Sequence, residues 1–97
     1  MRFEWDEAKN RKNIRTHGFD FADAELMFEG LLLVSADFEE DYGEHRWKAI
    51  GVIGSHVAVV IFTERPPDRI RIISLRKADH GERKEYEKAI QNGLETN

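Results

Sequence analysis

An α+β fold is predicted by three features of the chain. These are the order in which its apolar periodicity changes, the shortness of the connections between its strand-like runs, and two well-marked helix boundaries. The patterns read as strand, two helices, four strands and one helix over 97 residues. Consecutive strands on short connections pair antiparallel, so the sheet is expected to be mainly antiparallel, with the helices gathered on one side of it.

Each element has its own signal. Phe3 to Trp5 is a short first strand. Asp6 is an N-cap residue with Glu7 in the first turn, and the helix it opens runs to His17 and stops at Gly18. That helix carries little apolar surface beyond Ala8 and Ile14, which predicts light packing. A second helix starts at Asp20, draws its apolar side from Phe21, Ala24, Leu26, Met27 and Phe28, and ends at Gly30. Leu31 to Ala36 reads as a strand, and Asp37 to Glu44 as a solvated acidic loop. Arg46 to Ile53 and Val57 to Thr63 are strands joined by a tight hairpin at Gly54-Ser55. Pro66-Pro67-Asp68 is a turn, and Arg69 to Arg76 is the last strand. Asp79 and Glu82 form a D-x-x-E start for a helix that runs to about Gln91, with Gly93 past its end.

Composition narrows the class. Hydrophobic residues at 40% and charged residues at 35% suit one ordinary globular domain spanning residues 1–97. With no cysteine, disulfides and thiolate chemistry are excluded. No apolar run approaches the roughly 18 residues of a membrane span, and the first residues lack the apolar stretch of a signal peptide, so a cytoplasmic location is expected. The net charge of −4 is unevenly distributed. Asp20 to Glu44 holds nine acidic residues and no Lys or Arg, whereas Arg65 to Lys84 holds seven basic residues against three acidic ones. A local positive field on an acidic molecule is one reading, and two solvated faces are the other.

Two constellations carry chemistry. Lys9, Asn13 and His17 recur every four residues and so share one helix face, either as a solvated stripe or as a phosphate-facing one with a titratable end. The second is Thr63-Glu64-Arg65 followed by the strand from Arg69 to Lys77. Strand alternation sends Arg69, Arg71, Ile73 and Leu75 one way and Ile70, Ile72, Ser74 and Arg76 the other, so the sidedness changes near Ile73. Arg76 then shares a face with isoleucines. A partly enclosed guanidinium needs an anion, either a carboxylate of the protein (Glu64 or Glu4) or a ligand phosphate. His45, His56 and His80 show no metal spacing, and no metal or other cofactor is expected. The aromatics fall where core is expected, apart from Tyr42 in the acidic loop.

These segments resemble the BrnT toxin family. The resemblance rests on Phe3-Glu4-Trp5-Asp6, Lys9, Asn13, His17-Gly18 and Phe21, and on Thr63-Glu64-Arg65, Arg69 to Ser74, Arg76-Lys77-Ala78, Glu82-Arg83 and Tyr86. It covers nearly the whole chain. Thr16 stands where that family usually has a basic residue before the His-Gly pair.

The resemblance implies a RelE-like ribonuclease fold and a toxin of a type II toxin–antitoxin system. It implies a BrnA-type antitoxin as partner, contact with operator DNA only through the antitoxin complex, and a homodimer within that complex. It also implies metal-independent RNA cleavage, by attack of the ribose 2′-hydroxyl on the neighbouring phosphate. Such a reaction needs a base, a proton for the leaving 5′-oxygen and positive charge on the phosphate. Residue chemistry then assigns phosphate stabilisation to Arg65 and Arg76 with Lys9 in support, and acid–base work to His17 with Glu64 second. Asn13, Arg69, Arg71, Ser74, Lys77 and Tyr86 are expected to hold the substrate. A binding module without turnover, gripping an acidic antitoxin segment or DNA through the complex, uses the same arginines.

Overall fold

In the computed structural model, which describes residues 1–37 and 44–93, the elements follow the expected order. They are β1 (Arg2–Glu4), α1 (Glu7–His17), a 3₁₀ turn (Phe21–Asp23), α2 (Ala24–Phe28), β2 (Leu33–Ala36), β3 (Trp47–Ile53), β4 (His56–Arg65), β5 (Arg69–Lys77) and α3 (His80–Gln91). Most of the acidic loop, including Tyr42, lies outside the described residues.

The five strands form one sheet in the order β1-β5-β4-β3-β2. Three junctions are antiparallel, as expected, but β1 lies parallel to β5, pairing Arg2 with Arg69 and Glu4 with Arg71. The chain between the two, which runs through α1, α2 and three further strands, is long enough to permit that arrangement.

The expected helix from Asp20 is in fact two pieces. Asp20 accepts a hydrogen bond from the Ala22 N–H and starts the 3₁₀ turn, and α2 is a single further turn or so. The cause is tertiary, because Asn10 Oδ1 holds the Phe21 N–H at 2.8 Å and Asn10 Nδ2 donates to Asp20 Oδ1 at 3.0 Å.

The helices do not gather on one side. Ala58, Val60 and Phe62 of β4 pack with Ala49, Ile70, Ile72 and Leu75 against Phe21, Ala24 and Met27. The alternate residues Val57, Val59 and Ile61 pack with Ile50, Leu33, Tyr86 and Ile90 on the α3 side. The continuous apolar run from Val57 to Phe62 is the sequence signature of burial on both faces. Close packing is tightest at Gly51, where an added Cβ would stand 2.8 Å from a Leu32 methyl and 3.3 Å from the Met27 methyl.

The one irregularity in the sheet explains the change of sidedness. Ile61 pairs with Ser74 and Phe62 with Ile72, which leaves Ile73 as the extra residue of a bulge. Leu75 thereby rejoins Ile70 and Ile72 in the core, and Arg76 stays with Arg71 and Ser74 on the α3 side.

α1 is attached by hydrogen bonds more than by apolar packing. Asn10 and Asn13 are its only buried residues, whereas Ile14 is 41% exposed. Asn13 Nδ2 donates to the carbonyls of Leu75 (2.8 Å) and Phe19 (2.9 Å), and Asn13 Oδ1 accepts the Leu75 N–H at 3.2 Å. β1 stops at Glu4, so the outer edge of β5 is bare beyond Arg71, and the Asn13 amide fills the place of the next strand residue. Gly18, at φ 78, ends the helix, with its N–H on the Ile14 carbonyl.

Replacing Asn13 with Ala strands both Leu75 backbone groups in a buried place, where each unsatisfied group costs about 1–3 kcal/mol. Urea denaturation is expected to show a loss of about 2–4 kcal/mol for Asn13→Ala, against at most about 0.5 kcal/mol for Lys9→Ala on the same helix. Equal losses would refute the strand-mimic account.

Candidate anion-binding face and flanking groove

The α3 side of the sheet is covered by α3 over only part of its area. By alternation and register, the remainder carries Lys48 of β3 with Arg46 just before that strand, Ile61, Thr63 and Arg65 of β4, and Arg69, Arg71, Ser74 and Arg76 of β5. Three glutamates are set among the six cations, and each is shared by two of them. Glu4 takes Arg69 (3.1 Å) and Arg71 (3.0 Å). Glu44 takes Arg65 (3.3 Å) and Arg46 (3.7 Å). Glu82 takes Lys48 at 2.7 Å and both terminal nitrogens of Arg76 at 2.8 and 2.9 Å. Among the described residues these pairings set six cations against three carboxylates, on a chain whose net charge is −4.

Glu82 is the most constrained of the three carboxylates. It is 9% exposed, and its Oε1 also accepts the Asp79 N–H at 3.0 Å in the capping box expected at the start of α3. The Arg76 hydrogen bonds hold its carboxyl well below the usual carboxylate range, with Lys48 adding to the effect and desolvation opposing it. Glu4 is lowered as well, chiefly by the Arg71 hydrogen bond. Arg65 has an Nε that is buried and without a hydrogen-bond partner among the described residues, an unmet demand beside its exposed terminal nitrogens.

α1 flanks this face. Between the helix and the sheet lies a groove of about 350 Å³ lined by Lys9, Lys12, Asn13, Thr16, His17, Arg46 and Ile73. The bulge residue Ile73 forms part of its lining, and Arg46 belongs both to the groove and to the Glu44 trio. Among the described residues no cluster of three His, Asp or Glu is placed to hold a metal ion.

The expected site residues divide into three groups. Lys9 and His17 meet in the groove, and Arg65, Arg69, Arg71, Ser74 and Arg76 meet on the sheet face. Asn13 lines the groove, but its amide is committed to backbone groups of Phe19 and Leu75. Glu64, Lys77 and Tyr86 stand apart. Glu64 follows Phe62 onto the opposite face and lines a hollow with Val34, Trp47 and Phe62. Lys77 pairs with Ala58, which also faces that way. Tyr86 is buried beneath α3 and donates its hydroxyl to the Leu31 carbonyl at 2.8 Å, and burial raises its pKa.

The anion that Arg76 takes is Glu82, and neither Glu64 nor Glu4 as expected, because Glu64 faces the other side of the sheet and Glu4 serves Arg69 and Arg71. Sequence reasoning missed Arg46, Lys48, Glu44 and Lys12. Arg46-Trp47-Lys48 did carry a signal, since alternation puts both cations on one face of a strand.

The fold and face together define a small α+β protein with a sheet surface on which six cations share three glutamates. A family model described as the ribonuclease toxin BrnT of type II toxin–antitoxin systems matches residues 5–82, and the chain belongs to that family. It is similar to the crystal structure of the Brucella abortus ribonuclease toxin BrnT, with 37% identity over 82% of this chain and 99% of that one and a TM-score of 0.64. No curated protein matches the chain. No helix of the described residues is long and apolar enough to cross a membrane.

The lowered carboxyl of Glu82 has a consequence for stability. A depressed folded-state value contributes stability that is fully present above the unfolded carboxylate range and is lost as pH falls through the folded value. Glu82→Gln is expected to cost about 2 kcal/mol at neutral pH and to flatten the acid limb of a stability–pH profile measured by denaturant titration. An unchanged acid limb would mean that the trio contributes nothing to folding.

Proposed function

We propose that this chain is a metal-independent endoribonuclease, the toxin of a type II pair, which cleaves RNA by attack of a ribose 2′-hydroxyl on the adjacent phosphate. The observation that carries the reading is the sheet face on which three glutamates are each shared by two cations, beside a groove that ends in His17. Guanidinium and ammonium groups supply the positive charge that the reaction requires, in fixed positions that need no reorganisation.

In this reading the scissile phosphate sits between the groove and the arginines. Arg65 stabilises its oxygens with Lys9 in support, and Arg76, held by Glu82 further along the strands, takes a neighbouring phosphate. His17 removes the 2′-hydroxyl proton or delivers one to the leaving 5′-oxygen. The O2′–P bond forms, the P–O5′ bond breaks, and the products are a 2′,3′-cyclic phosphate and a free 5′-hydroxyl. Arg69, Arg71 and Ser74 hold flanking parts of the strand. Glu64, on the other face, has no proton-transfer role, and Asn13 and Tyr86 act by holding α1 and α3 in place. A BrnA-type antitoxin neutralises the toxin in the cytoplasm and supplies the complex's contact with operator DNA, with two copies of the toxin in the assembly.

The test is incubation of the antitoxin-free protein with single-stranded RNA in EDTA, followed by analysis of the new ends. The expected result is 2′,3′-cyclic phosphate termini. Arg65→Ala is expected to lower the rate by about 10²-fold or more, and His17→Ala by about 10²–10⁴-fold. If the folded protein leaves RNA intact both alone and in a translating extract, the enzyme reading fails. A non-catalytic module gripping its antitoxin through the same arginines then takes its place.

A further inference from the structure

We infer that the outer edge of β2 is a self-pairing surface, and that a second copy of this chain joins it antiparallel about a two-fold axis at Ser35, so that two copies share one continuous sheet. The inference stands independently of the ribonuclease chemistry. It names a contact for the two toxin copies of the proposed assembly, one that needs no antitoxin.

β2 is the last strand of the sheet, and among the described residues none pairs with its outer side. One hydrogen bond fixes which of its backbone groups face outward. The Asp37 N–H donates to the Arg46 carbonyl at 2.9 Å. These two residues are directly opposite each other, one step beyond the Ala36–Trp47 pair. Bonded and non-bonded pairs alternate along an antiparallel ladder. Leu33 and Ser35 therefore bond to Ile50 and Lys48 of β3, and the N–H and C=O groups of Val34 and Ala36 point to the free edge.

Sheets guard such an edge with a lysine, a proline or a bulge. Leu33–Ala36 has none of these, and Val34 is 47% exposed. An uncharged edge of this kind fits a copy of itself. Pairing about Ser35 sets Val34 opposite Ala36 on both sides of the axis, so each outward group finds a partner. It also sets Ser35 opposite its own counterpart in a non-bonded pair, with Cα atoms about 4.5 Å apart.

The flanks agree with this occupant. On the α3 side a groove of about 360 Å³ separates β2 from α3, and Leu33, Ser35, Glu85, Lys88 and Ala89 line it. Its rim carries one acid and one base, so two copies present each other with complementary signs. On the other side Val34 borders a hollow with Trp47 and Phe62, apolar surface that the second strand extends. An acidic segment or a nucleic acid fits poorly, because no Lys or Arg occurs from Asp20 to Glu44. The axis runs normal to the sheet, so the cationic faces of both copies look the same way.

Ser35→Cys tests the register in a chain that has no cysteine of its own. The facing Ser35 positions meet the Cα separation of about 4.4–6.8 Å that a disulfide spans. The two Val34 positions are offset by two residues and stand about 8 Å apart, too far for a bridge. Oxidised Ser35→Cys is expected to run as a covalent dimer on a non-reducing gel, and Val34→Cys as a monomer. Ala36→Pro removes only an outward N–H, so β2 still pairs with β3 and circular dichroism stays that of the parent. In sedimentation equilibrium this variant is expected to be a monomer where the parent is a dimer.

A parent that is monomeric at every concentration overturns the proposal. So does a dimer that Ala36→Pro leaves intact, or equal cross-linking at the two cysteine positions. A monomeric parent that loses antitoxin binding through Ala36→Pro assigns the edge to an antitoxin strand instead. β2 carries no proposed catalytic residue, so Ala36→Pro is expected to cleave RNA at the parental rate. A dimeric parent that cleaves no RNA keeps this interface and removes the ribonuclease reading, whereas cleavage by a monomeric parent does the reverse.

Discussion

The side-chain amide of Asn13 stands in for a strand that the sheet lacks. β1 is three residues long and covers β5 only from Arg69 to Arg71. Beyond that point the N–H and C=O of Leu75, at the centre of the apolar core, would face an empty edge. An asparagine is the right residue for this place, since its planar amide offers an acceptor oxygen and an NH2 with two donors, enough to pair a peptide edge and keep one donor over. Its two bonds to Leu75 and its third to the Phe19 carbonyl join α1, the loop after it and β5 in one node. Asn10, one turn earlier, does the same for Asp20 and Phe21. A helix with almost no apolar face is thereby held by hydrogen bonds from two buried asparagines. It leaves Lys9, Lys12, Thr16 and His17 free of packing duties along a groove wall.

The bulge at Ile73 completes the arrangement from the other side. A strand with unbroken alternation would have put Leu75 with Arg71 and sent Arg76 toward the core. One extra residue lets Leu75 join Ile72 in the core and keeps Arg76 among the arginines. Bulges re-aim side chains in this way near functional surfaces. The position of the bulge also matters, because Ile73 is the residue that the sheet contributes to the α1 groove. Backbone irregularity, the helix node and the cationic face therefore meet within a few residues of β5.

Much of this was legible in the sequence. The order of elements, the Gly18 helix end, the Gly54-Ser55 hairpin and the Asp79–Glu82 capping box follow from local rules, and all stand in the structure. The change of sidedness near Ile73 was visible too, although a pattern of alternation cannot say that a bulge is its cause. Three features were hidden for one physical reason, which is that each depends on a partner distant in the chain. Asn13 looked like part of a polar stripe because Leu75 is 62 residues away. Tyr86 looked like a substrate contact because the carbonyl it serves belongs to Leu31. Arg46 and Lys48 lay just past an acidic segment and were overshadowed by the denser run of arginines after Arg65. The parallel pairing of β1 and the placement of α3 on the far face are equally non-local, although the apolar run from Val57 to Phe62 did point to burial on both sides.

Carboxylate sharing resolves a conflict between folding and binding. Six bare cations on one small sheet face would repel one another and weaken the folded state. Pairing each with its own acid would cancel the field that an anion needs. One glutamate for two cations meets both demands, and the three trios do so with different stiffness. Glu82 is buried, doubly bonded to Arg76, bonded to Lys48 and fixed by the start of α3, so its cations form a rigid frame that an incoming phosphate must accept as found. Glu44 holds its cations at 3.3 and 3.7 Å and is a third exposed, so its pairing is longer and more screened by solvent than that of Glu82.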